Sequence, residues 1–277
     1  MCELLALSTS QPARLTFSLH TLASRGGLNG TTHDGWGVAF YQGADVALFR
    51  EPLAADGSAL VSYLETQGPS TKLAISHIRH ATQGTVQFSN TQPFIRELGG
   101  RTQVFAHNGD LPGIEVALKL GAYRPVGQTD SEFAFCALLG RLQSLWDGVT
   151  LPTLDARLSL LAAFAAELRQ LGPANFLYAD SDALFAHGHR RLQKGRGPAE
   201  PPGLWTLQQH CAPADALPTQ QAGVSIAQEE RVSLLIASVP LTDEAWQPMP
   251  EGELFAVRDG QLIATRAGVT ATVAATG

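Results

Sequence analysis

A cysteine stands second in the chain, behind Met1 and ahead of Glu3-Leu4-Leu5. Its small side chain does not obstruct removal of the initiator, and removal would leave a thiol and a free α-amine on one residue. Their reference pKa values, about 8.5 and about 7.7–8.0, let the deprotonated amine act as base for its own thiol near neutral pH. Nucleophile and base would then reside in a single residue. The competing reading of Cys2 is an inert thiol buried in a first strand, since cysteine is among the most buried residue types. Position two alone favours that second reading.

Other residues with chemical capacity lie downstream. Arg79 ends the mostly apolar run Lys72–His80, where a guanidinium must find an acidic partner or a ligand to offset its desolvation; a protein salt bridge and a ligand weigh equally. His77 and His80 flank it, but residues three apart in a strand point to opposite faces and cannot converge on one metal ion. Hydrogen-bonded structural histidines are the expectation. Asn108-Gly109 follows the strand-like Thr102–His107. It reads either as a hairpin turn or as a side-chain amide and a backbone N–H aimed at one point, as an oxyanion hole requires. Asp130 lies in Thr129-Asp130-Ser131-Glu132, where helix capping fully accounts for it.

The elements that must hold these residues are coarse but readable. Leu4–Leu7 suggests a strand buried on both faces, which would fix the N-terminal cysteine inside the fold. A helix is expected near Phe17–Ala23, then a turn-rich loop over Ser24–Gly30 and a strand through Trp36–Tyr41. Asn90-Thr91-Gln92-Pro93-Phe94 suits a loop lining a pocket. Helices are expected from Thr129 or Asp130 through Leu142 and over Pro152–Leu171, the latter stopped by Gly172-Pro173. Strands follow at 175–180, 183–187 and 232–239, with a surface loop over 195–202 and a hairpin over Leu254–Arg266 turning at Asp259-Gly260. The region 2–266 reads as one domain, and 267–277, small and uncharged, as a disordered tail.

Composition bounds the partners. The 277 residues are 44% hydrophobic and 16% charged, which suits a globular protein with a sizeable core. A formal charge of -6 with no longer basic run than Arg190-Arg191 leaves no basic face for a nucleic acid. Three scattered cysteines make no disulfide framework, and a reducing cytosol is the expected compartment. Neither a signal peptide nor a membrane span is expected, and no metal or cofactor site is indicated.

Taken together, Met1-Cys2-Glu3-Leu4-Leu5, Asp34-Gly35-Trp36-Gly37, His77-Ile78-Arg79-His80-Ala81-Thr82-Gln83-Gly84, Asn90-Thr91-Gln92-Pro93-Phe94, Ala106-His107-Asn108-Gly109 and Thr129-Asp130-Ser131-Glu132 resemble the ordered motifs of class II glutamine amidotransferases, most of all their free-standing members. The resemblance implies an α+β N-terminal nucleophile hydrolase fold, a four-layer αββα sandwich. It implies that Cys2 attacks the γ-carboxamide of glutamine, that Asn108 and Gly109 hold the oxyanion, that Arg79 grips the α-carboxylate and Asp130 the α-ammonium, and that Thr82 lines the pocket. Ammonia would leave, and water would release glutamate from the γ-glutamyl thioester. The chain departs from the pattern at Gln92, where free-standing relatives often carry histidine, and at His80 and Gln83, where synthase-linked members have Trp and His. No synthase follows the domain in this chain, so a partner subunit would have to accept the ammonia, or the enzyme is a hydrolase. A γ-glutamyl peptide or thiol conjugate is the alternative substrate, and an idle binding module with Met1 retained is the alternative of another class.

Overall fold

The structure is a computed structural model describing residues 2–15, 34–146, 150–193, 197–211 and 231–268. The expected helix near Phe17–Ala23, the loop at 24–30 and nearly all of the tail lie outside the described residues. Two antiparallel sheets form the centre. The first has seven strands: β1 (Glu3–Arg14), β2 (Trp36–Gln42), β3 (Asp45–Glu51), β4 (Ser70–Ile78), β11 (Trp205–Cys211), β12 (Arg231–Ala237) and β13 (Gln247–Pro248), in the order β13-β11-β12-β1-β4-β2-β3. The second has six: β5 (Phe94–Leu98), β6 (Arg101–Gly109), β7 (Ala174–Ala179), β8 (Leu184–His187), β14 (Leu254–Arg258) and β15 (Gln261–Arg266), in the order β15-β14-β8-β7-β6-β5. A small ribbon pairs β9 (Arg191–Leu192) with β10 (Ala199–Glu200), the latter within the 195–202 stretch expected to be surface loop.

Strand alternation sorts side chains into layers. Along β1, Leu4 and Ala6 join Ile75, Val104, Ala106, Leu177, Ala186 and Ile236 in an apolar layer between the sheets. Leu5 and Leu7 face the other way, toward Trp36, Val61 and Leu64. Val61 and Leu64 belong to α1 (Ala59–Gln67), capped by Ser58. Beyond the second sheet, α3 (Asp130–Leu142) and α4 (Leu154–Leu171) pack on Phe105, Phe176, Tyr178 and Phe185, while the short α2 (Ile114–Ala117) leads toward α3. The arrangement is helix, sheet, sheet, helix, as expected from the motifs.

The two expected helices that fall among the described residues are present. Thr153 caps α4 and Thr129 caps α3, each hydroxyl accepting the N–H of the third residue on, at 3.2 Å. The hairpin at Asp259-Gly260 is also present. Asn108-Gly109 differs from the turn reading: β6 continues through both, pairing Asn108 with Asn175 and Gly109 with Ala174 on β7. Two features keep the chain extended there. The Asn175 side chain donates to the Asn108 carbonyl at 3.0 Å, and a Cβ on Gly109 would run into the Pro173 carbonyl oxygen.

Candidate active site

Cys2 sits at the head of β1, the central strand of its sheet, and is half-buried. Registers Glu3↔Ile78 and Leu4↔His77 bring the end of β4 alongside it. The main chain of His80 brackets the sulfur: its N–H donates to Cys2 Sγ at 3.3 Å and its carbonyl accepts from the thiol at 3.4 Å. Burial pushes the thiol up to about 11, with the His80 N–H pulling it back. A thiol in that condition is protonated at neutral pH and needs a base to become a nucleophile.

Asn108 arrives from the second sheet. Val104 and Ala106 face the inter-sheet layer, and alternation puts Asn108 on the same side. Its Nδ2 donates to the Cys2 carbonyl at 2.6 Å, and its Oδ1 is buried without a partner among the described residues. An amide nitrogen carries two hydrogens, so one donor remains beside the nucleophile. On the opposite face of β6, His107 Nδ1 lies 2.9 Å from Ser131 Oγ of α3. The Gln92 amide clamps the His107 main chain from both sides, accepting its N–H at 2.7 Å and donating to its carbonyl at 3.1 Å. Glutamine supplies a donor and an acceptor in one plane, and the clamp uses both.

Arg79 is buried but forms no salt bridge among the described residues. Its Nη2 donates to the carbonyls of Gln83 at 2.9 Å and Gly84 at 3.0 Å, and its Nη1 to those of Thr85 at 3.1 Å and Asp34 at 3.4 Å. Of the two readings, a protein salt bridge is not found among the described residues; a ring of peptide dipoles instead wraps the 83–85 loop around the guanidinium. Among the described residues no carboxylate pairs with it directly, though Asp34 lies close enough to favour its charge. Thr82 is exposed on the same loop.

Asp130, the first residue of α3, accepts the N–H of Leu111 at 2.8 Å and of Ser131 at 2.7 Å. Thr129 performs the capping that the sequence left open between the two. Two further contacts join the loops. Gln83 Nε2 donates to Asp110 Oδ1 at 2.9 Å, and Asn90 binds Thr85 O at 2.9 Å while accepting the Gln128 N–H at 2.8 Å. Cys2, Asn108 and the 79–85 loop thus meet directly, and Asp130 connects to them through Leu111, Asp110 and Asn90. The roles of Asn90 and Gln92 as ties were not read from the sequence; their place in a polar stretch before Pro93 was the available signal.

The two histidines differ from expectation in one respect. His77, facing the inter-sheet layer opposite Leu4 and Gly37, is fully buried with neither ring nitrogen hydrogen-bonded among the described residues. Burial drives it down to about 3, so it stays neutral. Its neighbours include His107 and Arg79, whose charges would also disfavour a second cation there. His80 is half-exposed, its Nδ1 4.0 Å from Asp34 Oδ2. Among the described residues no group of three or more His, Cys, Asp or Glu could hold a metal ion, and no helix is long and apolar enough to cross a membrane.

The family model for class II glutamine amidotransferases matches residues 1–276. The chain belongs to the class II glutamine amidotransferases. It is 35% identical to a putative glutamine amidotransferase of Escherichia coli, YafJ, over 91% of this chain and 96% of that protein. It is similar to the crystal structure of a predicted glutamine amidotransferase from Pseudomonas aeruginosa, with 34% identity, a TM-score of 0.68, and 95% and 100% of the two chains covered. Glutamine phosphoribosylpyrophosphate amidotransferase of Bacillus subtilis shares the N-terminal nucleophile hydrolase fold at 15% identity and a TM-score of 0.59, with 97% of this chain matching 49% of that one. Class II membership therefore covers the whole arrangement of paired sheets and flanking helices, with Cys2 at the head of the central strand.

Proposed function

We propose that the protein hydrolyses the γ-amide of glutamine, with Cys2 as nucleophile after Met1 is removed. The observation that carries this is the meeting of Cys2 Sγ with the His80 main chain and of the Asn108 amide with the Cys2 carbonyl. The free α-amine takes the thiol proton, directly or through water, and the sulfur attacks the γ-carbonyl carbon. Asn108, with its second amide hydrogen, and Gly109 bind the oxyanion. Collapse breaks the C–N bond, the amine returns the proton to departing ammonia, and a γ-glutamyl thioester remains for water to cleave.

Arg79 and Asp130 bind the amino-acid end. A buried cation without a carboxylate partner attracts the α-carboxylate, whose oxygens exchange for loop carbonyls that now occupy the guanidinium. Asp130 retains lone pairs for the α-ammonium, and Thr82 borders the pocket. Nitrogen acceptance belongs to a partner synthase subunit or to no subunit at all, and the site lies in a soluble cytoplasmic protein.

Purified, tag-free protein offered glutamine and a panel of γ-glutamyl peptides tests the reading. Glutamate release fastest from glutamine is expected. Release from the peptides alone would reassign the substrate, and release from none would contradict an active amidase.

A further inference from the structure

Asn175 is a fully buried polar side chain beside the site to which the proposed reaction assigns nothing. It stands on β7 directly across from Asn108. Its Nδ2 donates to the Asn108 carbonyl at 3.0 Å and to the Arg190 carbonyl at 2.7 Å, and its Oδ1 accepts the His189 N–H at 2.7 Å. Both amide hydrogens and the acceptor oxygen are therefore engaged. Gly203 packs so closely on this amide that a Cβ there would run into Oδ1.

The bond to Asn108 bears on a different group. A peptide unit is planar and trans, so its C=O and the N–H of the following residue point in opposite directions. The Asn108 carbonyl points toward β7, where Asn175 holds it, so the Gly109 N–H points to the opposite edge of β6. Alternation along the strand agrees: the Asp110 N–H bonds the Pro173 carbonyl on the β7 side, while the His107 peptide groups face the other side. On that other edge the pairing with β5 stops at Phe94↔Phe105, the Gln92 amide takes His107, and Gly109 comes next.

We propose that Asn175 is a positioning residue of the oxyanion site. By holding the Asn108 carbonyl it aims the Gly109 N–H, and by polarising their shared peptide it strengthens that N–H as a donor. The inference rests on the reading of Asn108 and Gly109 as the oxyanion donors. Each donor then has its own anchor: the Cys2 carbonyl fixes the Asn108 amide at 2.6 Å, and Asn175 fixes the peptide that carries the Gly109 N–H. Asn175 itself has no amide hydrogen left for the substrate.

The test uses the full chain with its initiator removed, glutamine as substrate, and the variants Asn175→Ala and Asn175→Ser. Alanine removes the donor, whereas serine keeps one hydroxyl, enough for one of the two carbonyls. Losing the aim of a donor rather than the donor itself should lower kcat about 10–10²-fold in Asn175→Ala, with a smaller fall in Asn175→Ser. The KM for glutamine should keep its wild-type value, because the lost interaction is made in the transition state and the amino-acid end is gripped elsewhere. Iodoacetamide should alkylate Cys2 at the wild-type rate, since that displacement builds no oxyanion; a general disturbance of the fold would change both this rate and KM. Whichever variant folds carries the test. A wild-type kcat, a loss expressed in KM or in alkylation, or failure of both variants to fold overturns the proposal and leaves the amidase reading standing. A wild-type protein that is alkylated but releases no glutamate overturns both.

Discussion

In the proposed reaction Asn108 serves structure and chemistry together. One amide hydrogen is committed to the Cys2 carbonyl at 2.6 Å, which locks the amide plane; the other is available to an oxyanion. Removing one such donor costs about 2.7–4 kcal/mol of transition-state stabilisation. Asn108→Ala should therefore lower glutaminase turnover roughly 10²–10³-fold, measured at saturating glutamine, with an unchanged circular dichroism spectrum. Near-wild-type turnover would remove Asn108 from the oxyanion site. At this scale the motifs pointed to residues that the fold brings together, as with Cys2 and Asn108. The sequence was uninformative for Arg79, because the carbonyls that surround it belong to a loop whose path no side-chain identity announces.

Between elements, the strand that carries Cys2 is anchored by a buried ion pair. Glu3 on β1 is fully buried, and Arg191 on β9 reaches it at 2.7 Å while donating also to the Ser238 carbonyl. Ser238 in turn accepts the Leu4 N–H at 2.6 Å. Burial raises the Glu3 carboxyl to about 7, with Arg191 pulling it back. An acid whose folded pKa lies above its unfolded one binds more protons when native, so the stability it contributes is present below the unfolded value of about 4.3 and is lost as pH rises through the folded one. Arg191→Met strengthens that tendency by removing the counter-charge. Chemical denaturation of this variant should show a deficit that grows from pH 5 to pH 8 and reaches about 3–5 kcal/mol, the cost of stranding a buried charge. A deficit independent of pH would mean that Glu3 does not titrate in the fold. The pair spans 188 residues of sequence, a separation at which neither periodicity nor turn chemistry connects two residues. The same holds for the Gln92 clamp on His107 and the Asn90 tie to Gln128. Helices α3 and α4 and the hairpin at Asp259-Gly260 were legible because caps, breakers and alternation are local. Asn108-Gly109 was ambiguous because its extended path depends on Asn175 and Pro173, more than sixty positions away.

Across the described residues, the two sheets meet through a largely apolar layer, and the polar site forms where that layer ends. The head of β1, the end of β4 and the end of β6 terminate together, so face-to-face packing by itself delivers Cys2, His80 and Asn108 to one place. The layering followed from the resemblance of the motifs, whereas strand order did not, because β3, α1 and β11 carry no motif and weak periodicity. In the proposed mechanism the amine of residue 2 is what converts a protonated thiol, pushed up by burial, into a nucleophile. The most direct test compares two forms of the full chain, one processed so that Cys2 is the first residue and one carrying a permanent N-terminal extension. Glutamate release from glutamine is the readout, with intact mass confirming each terminus. The processed form should turn over and the extended form should not. Equal rates from both would contradict the account at its base.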